Sequence, residues 1–146
     1  MKASMADHVK NALRHSHAEG AGDMAGTMET LEADPVYDLY PIARRMKGYD
    51  RARRYYEHFF KEVQPRIAGF EMVSEWVGEA GVNQEYDVRY RYDDGRIRTF
   101  RILGILAFGE TKMSGERLYA DEELFKIMFA PVWNELEPIR PPGAAS

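Results

Sequence analysis

The feature that most constrains the fold lies in the second half of the chain, where Asp94-Gly95 separates two alternating runs, Val88-Arg89-Tyr90-Arg91-Tyr92 and Ile97-Arg98-Thr99-Phe100-Arg101. An Asp-Gly pair tolerates the positive φ of a tight primed turn, and alternation with period two marks strands with unlike faces. The pattern predicts an antiparallel hairpin. A two-residue turn sets Tyr92 opposite Ile97, Tyr90 opposite Thr99 and Val88 opposite Arg101, so that Tyr86, Leu103, Ile105 and Ala107 share a face with Arg101. The other face carries Arg89, Arg91, Arg96 and Arg98 near the turn, then Ile102, Leu106 and Phe108, as for a solvated tip and a covered base.

The first half reads differently. Met5, Val9, Ala12, Leu13 and Ser16 recur at helical spacing, Ser4 and Asp7 form a capping-box pair, and Gly20 and Gly22 mark the end. A short second helix is expected through Ala25 to Leu31, broken by Asp34-Pro35, with a strand from Val36 to Tyr40 closed by Pro41. A third helix carries the stripe Ala52, Tyr56, Phe59, Phe60 and Val63 and stops at Pro65. A final helix turns Leu124, Phe125, Met128, Phe129 and Val132 inward, limited by Pro131. The chain reads as a single domain over 1–136, with 137–146 as a loose Pro-rich tail.

Composition narrows the function classes. With 146 residues, 45% hydrophobic and 12% aromatic, the chain fills one core. Its formal charge of -4 supplies no basic surplus for nucleic acid, and the tyrosines between the hairpin arginines are offset by Glu85, Asp87, Asp93 and Asp94. The absence of cysteine excludes disulfides and thiolate chemistry. Apolar runs fall well short of the roughly 20 residues of a membrane helix, so a cytoplasmic protein without membrane contact is expected. His8, His15 and His58 lie off the apolar stripes and are expected to face solvent, while His17 borders its stripe. No histidine pair has helical metal-site spacing, and no metal or cofactor is expected.

The remaining chemistry gathers near the C-terminus. In Gly115-Glu116-Arg117-Leu118-Tyr119-Ala120-Asp121, alternation places Arg117, Tyr119 and Asp121 on the face opposite Leu118 and Ala120. The stretch from Gly109 through Lys112, Gly115-Glu116-Arg117 and Tyr119 to Asp121 resembles the last strand of SnoaL-like domains in the nuclear transport factor 2-like superfamily. Two other stretches are similar to that superfamily: Asp34-Pro35-Val36-Tyr37-Asp38-Leu39-Tyr40-Pro41, and Gly48-Tyr49-Asp50-Arg51-Ala52-Arg53-Arg54-Tyr55-Tyr56. The resemblance implies a cone-shaped α+β domain in which a curved antiparallel sheet and three helices enclose an apolar cavity, with the outer apolar stretch of the sheet resembling a dimer face. Relatives include polyketide cyclases, ketosteroid isomerase-like and epoxide hydrolase-like enzymes, and domains without known chemistry.

Each candidate has two roles. Asp121 stands where a helix N-cap is needed, and the resemblance implies a general acid/base at that strand end. Arg117 binds an anionic oxygen or pairs with an acid such as Glu116, and Tyr119 donates to a carbonyl or packs at the rim. Arg101, on a mostly apolar face, needs Asp38, Asp121 or a ligand, unless a β-bulge turns it outward. Asp38, Tyr40, Trp76, Tyr86 and Tyr90 complete the expected ligand contacts, with Trp76 sharing a strand face with Met72 and Ser74. Three readings follow: cofactor-free proton transfer on an apolar cyclic or polyketide-like molecule, ligand binding without turnover, or a homodimeric scaffold with a filled interior.

Overall fold

The computed structural model describes residues 2–141. Helix α1 (Met5–Gly20) starts at the expected capping box: the Ser4 hydroxyl accepts from the Asp7 amide at 3.1 Å, and Asp7 accepts from the Ser4 amide at 3.2 Å. Helix α2 (Met24–Glu29) is capped by Asp23 and ends at Thr30. Strand β1 (Leu31–Tyr40) follows directly, earlier than Pro35 suggests, because the pairing irregularity between Leu31 and Val36 accommodates the proline. A short β2 (Arg44–Lys47) folds back on β1, and helix α3 (Tyr49–His58) runs into a π-helical turn at Phe59–Val63 and a 3₁₀ turn at Gln64–Arg66 containing Pro65.

Four long strands build the rest: β3 (Ile67–Val77), β4 (Gly81–Arg91), β5 (Ile97–Phe108) and β6 (Met113–Tyr119). Helix α4 (Glu122–Met128) and a 3₁₀ turn at Ala130–Glu135 close the end of the cone. With a last short strand, β7 (Glu137–Pro138), the sheet order is β3-β4-β5-β6-β1-β2-β7, with β6 and β1 parallel and the other pairs antiparallel. Strand β7 pairs with β2, so the expected tail begins as sheet edge; 142–146 lie outside the described residues. No described helix is long and apolar enough to cross a membrane.

The hairpin register differs by one residue from the two-residue turn. Tyr92 N donates to Arg96 O at 2.9 Å and Gly95 N to Tyr92 O at 3.0 Å, leaving Asp93, Asp94 and Gly95 as a three-residue loop with Gly95 at φ 86°. Tyr86 therefore faces Ile102, Val88 faces Phe100, and Arg101 faces Asp87. A one-residue slip exchanges the faces of one strand relative to the other. Ile102 and Leu106 are buried in the core, while Arg101 lies exposed on the outside with Leu103 and Ile105 half-buried there.

A β-bulge acts similarly on β3. Met72 pairs with Tyr86 and Ser74 with Glu85, so Val73 is the extra residue and the inward set passes from Phe70 and Met72 to Glu75. Trp76 consequently points outward and is 46% exposed.

Helix α1 lies across β4, β5 and β6. The core beneath it is aromatic: Tyr55 stacks on Phe129 with centroids 4.2 Å apart, and Tyr37, Tyr55 and Tyr56 meet edge to face. Between α1, the π-helical turn, α4 and the concave sheet remains a cavity of about 740 Å³.

Candidate active site

The alternation in β6 places Arg117 and Tyr119 on one face, as expected, but the cavity lies on the other. Glu116, Leu118 and Ala120 point inward, and Glu116 is only 8% exposed. Tyr119 sits on the outer face against Tyr40, with ring centroids 5.3 Å apart. Arg117 lies opposite Asp38 and Ile105 on that face, and its Nε is buried with no hydrogen-bond partner among the described residues. Asp38 is held by Arg45 through two bonds of 2.6 and 3.0 Å.

Asp121 caps α4. Its carboxylate accepts from the Glu123 amide at 2.8 Å and from Arg98 at 3.2 Å, on the surface and away from the cavity wall. Arg101 is bound by Asp87 at 2.6 Å and Glu85 at 2.7 Å, so the partner its charge requires is a surface pair rather than Asp38 or Asp121. Of the expected ligand contacts, Tyr86 and Tyr90 line the cavity; Arg101, Asp38, Tyr40 and Trp76 do not. Three local features, the hairpin slip, the bulge at Val73 and the choice of strand face in β6, each interchange inside and outside.

Inside, a polar cluster forms around His15, which is fully buried rather than solvent-facing. The buried side of α1 is centred on Ala12, His15 and the half-buried Glu19 rather than on Met5, which is half exposed. His15 Nδ1 lies 2.7 Å from Thr30 Oγ1, whose hydroxyl donates to the Thr27 carbonyl at 2.6 Å. With that hydrogen committed, Thr30 accepts from Nδ1–H. Thr30 is itself fixed from both sides, since its carbonyl accepts from Asn11 Nδ2 at 3.0 Å and from the Met113 amide at 2.9 Å.

On the other ring nitrogen, His15 Nε2 lies 3.1 Å from Glu116 and 3.3 Å from Glu19. Tyr56 donates to Glu116 at 3.0 Å and receives the Tyr37 hydroxyl at 2.5 Å. Burial raises the Tyr37 and Tyr56 hydroxyls well above the usual phenol range, so they act as donors. Burial alone would lower the His15 imidazole, but hydrogen bonds to Glu116 and Glu19 outweigh it and raise its pKa to about 10. His15 is thus an imidazolium at neutral pH, with both N–H groups satisfied. Burial pushes the Glu19 carboxyl up, the His15 hydrogen bond pulls it down, and the nearby Glu116 charge adds to the rise, which prevails.

His15, Glu19 and Glu116 offer donor atoms within 4.8 Å of one another, a spacing that suits a cation. The cation the hydrogen bonding accounts for is the Nε2 proton, which a metal ion would have to displace.

Glu19 and Glu116 belong to the cavity wall, which is otherwise mostly apolar: Phe59 and Val63 from the π-helical turn, Leu124 and Met128 from α4, Ile102 and Leu106 from β5. His17, expected at the stripe edge, also lines it. Gly104 keeps the floor open, because a Cβ there would approach the Leu118 side chain to 3.3 Å and Tyr86 to 3.9 Å. The Tyr86 hydroxyl borders this space with no hydrogen-bond partner among the described residues. Sequence reasoning missed His15, Glu19 and Glu116; the His15–Glu19 i, i+4 pair, starting three residues beyond Ala12, is a signal for the first two, and Glu116 has no such local signal.

No family model matches the chain, and no curated protein does. Among solved structures, it is similar to an NTF2-like protein of unknown function from Cytophaga hutchinsonii, with 12% identity, TM-score 0.64, and coverage of 77% of this chain and 98% of that one. An LEH-like epoxide hydrolase from M. tuberculosis matches with 16% identity and TM-score 0.62 over 86% of this chain and 91% of that one. A de novo designed protein with a curved β-sheet matches with 18% identity and TM-score 0.62 over 91% of this chain and 99% of that one. Such distant likenesses speak to backbone architecture, and on that evidence the chain has the NTF2-like fold, a cone of curved sheet and helices around an internal cavity.

Proposed function

We propose that the cavity binds a mostly apolar small molecule and that Glu19 moves a proton on it without a cofactor, in chemistry of the isomerase or cyclase type. The observation that carries this reading is a carboxyl of raised proton affinity, Glu19, opening from a hydrogen-bonded cluster onto an apolar cavity of about 740 Å³. A carboxylate whose pKa rises toward neutrality is a stronger base and returns the proton more readily at working pH. Glu19 takes a proton from a carbon beside a substrate carbonyl and gives it back at a second carbon, so nothing else enters or leaves. The unpartnered Tyr86 hydroxyl, itself held protonated by burial, donates to the oxygen on which charge develops. The His15 imidazolium keeps Glu116 and Glu19 side by side and stabilises the negative charge in the resting site. The LEH-like neighbour shows that this fold hosts catalysis in another protein.

The test is deuterium exchange in D2O on a panel of cyclic and open-chain ketones, read by NMR. The protein accelerates exchange of at least one α-hydrogen, and Glu19→Gln abolishes it, with a loss of about 10²–10⁴-fold. Exchange at the wild-type rate in Glu19→Gln removes Glu19 from the role.

The outer face of the sheet, with Leu103, Ile105 and Tyr119 around the unpartnered Arg117 Nε, is proposed as the surface through which two copies pair. Sedimentation equilibrium would then give twice 16.8 kDa, and Ile105→Asp would return the mass to that of one chain.

A further inference from the structure

We infer that the molecule taken by this cavity is an apolar amine bound as its ammonium ion. The inference rests on the cavity being a ligand site and names the class of ligand. Its first support is the sign of the wall. Glu19, Glu75 and Glu116 all line the cavity, while no described lining residue is a lysine or arginine. The one buried cation among the described residues, His15, stands behind the wall with both ring nitrogens engaged by the protein, so it has no N–H to offer an anion. With the His15 imidazolium set against Glu19 and Glu116, Glu75 at the mouth supplies the carboxylate with no cationic partner among the described residues: a carboxylate or phosphate entering there meets like charge, and an ammonium meets opposite charge.

The second support is the hydrogen-bonding balance on one wall. Gln84 is 7% exposed and lines the cavity. Its amide nitrogen lies 2.7 Å from a Glu75 oxygen and 3.2 Å from Ser16 Oγ. Because a carboxylate only accepts, the contact with Glu75 fixes which end of the amide is nitrogen. The Gln84 carbonyl oxygen is left with no hydrogen-bond partner among the described residues. Two groups on this wall keep acceptor capacity, Gln84 Oε1 and the Glu75 carboxylate, while the Ser16 hydroxyl accepts from Gln84. An ammonium brings three donors and no acceptor, and so matches what the wall leaves unpaired. The rings of Phe59, Phe70 and Tyr86 add faces that attract a cation, and the aliphatic wall around them selects an otherwise apolar body.

Isothermal titration calorimetry at neutral pH with 2-phenylethylamine, 2-phenylethanol and 3-phenylpropanoate separates charge from shape. The amine binds at least about tenfold more tightly than the alcohol, as a charge-assisted contact requires, and the carboxylate does not bind. On Glu75→Gln, a change at an exposed mouth position, the amine binds to within about threefold of the alcohol measured on the same variant. Binding of the alcohol or the carboxylate as tightly as the amine overturns the inference and leaves the cavity standing as a ligand site. The neutral probe N-phenyl-1-naphthylamine separates the remaining cases. If it fluoresces in the cavity while none of the three ligands binds, the amine inference fails alone; if it does not bind either, the ligand-site reading fails with it.

Discussion

His15 is a buried charge held by groups that were themselves taken out of water. Its folded pKa of about 10 lies above the ordinary 6.5, so its contribution to stability is complete below 6.5 and is lost as pH rises through about 10. Glu19 works in the opposite sense: its proton is held more tightly in the folded protein, so ionisation above the ordinary 4.5 costs stability. Replacing His15 with Gln leaves two carboxylates facing one another without the cation, at a cost of about 3–5 kcal/mol near pH 6. The gap between the two proteins should narrow steadily toward pH 10 in urea denaturation series. A gap of constant size across that range would mean that His15 is neutral in the folded protein and that the cluster is held by packing alone. The sequence carried a trace of this arrangement in Ala12, His15 and Glu19, which share a helix face. Hydropathy pointed elsewhere, since a stripe centred on Met5, Val9 and Leu13 treats a buried histidine and glutamate as solvent-facing by definition.

At the scale of elements, what was legible depended on whether a local signal determined the answer. The capping box of Ser4 and Asp7 is a short-range hydrogen-bond pattern, and α1 begins and ends where it and Gly20 indicate. The hairpin was legible as a hairpin for the same reason. Its register was not, because Asp94-Gly95 serves both a two-residue primed turn and a three-residue loop whose last member has positive φ. That single residue decides whether Arg101 or Ile102 enters the core. The bulge at Val73 leaves no residue-type signature at all, and it alone sends Trp76 outward while bringing Glu75 to the cavity. Gly115 fixes the last strand more firmly: at φ 141° a Cβ would stand 1.8 Å from the Val36 carbonyl oxygen, so β1 and β6 approach here only with glycine. Glu116 follows immediately and is aimed inward by that approach, whereas in the sequence it reads as an acid available to Arg117. Strand β2 was missed because Arg44-Arg45-Met46-Lys47 has one apolar residue, Met46, which is buried, and its remaining support comes from pairing with β1 and β7.

For the molecule as a whole, the cavity is an unfilled volume that the fold tolerates, and tolerance of that kind separates a site from a packing fault. The cone closes over Tyr55, Phe125 and Phe129 at one end, where the rings are buried, and the cavity lining is exposed at Gly20, Phe70 and Glu75. Gly104 lies on the floor between these regions, opposite Gln84 on β4 and Leu118 on β6. Its Cβ position meets the end of the Leu118 side chain at 3.3 Å, which can rotate away, and Tyr86 at an ordinary contact distance of 3.9 Å, so a larger residue would grow into the empty space. Gly104→Leu would bury an added aliphatic side chain and reduce the freedom of the unfolded chain, together stabilising the fold by about 1–3 kcal/mol. If the volume exists for a ligand, the same substitution abolishes binding of N-phenyl-1-naphthylamine while raising the thermal midpoint. Loss of stability together with retained binding would mean that the strands around Gly104 cannot accept a side chain and that the ligand lies elsewhere. A gain in stability bought by losing the ligand would identify the void as functional, because packing alone gives no reason for it to stay empty.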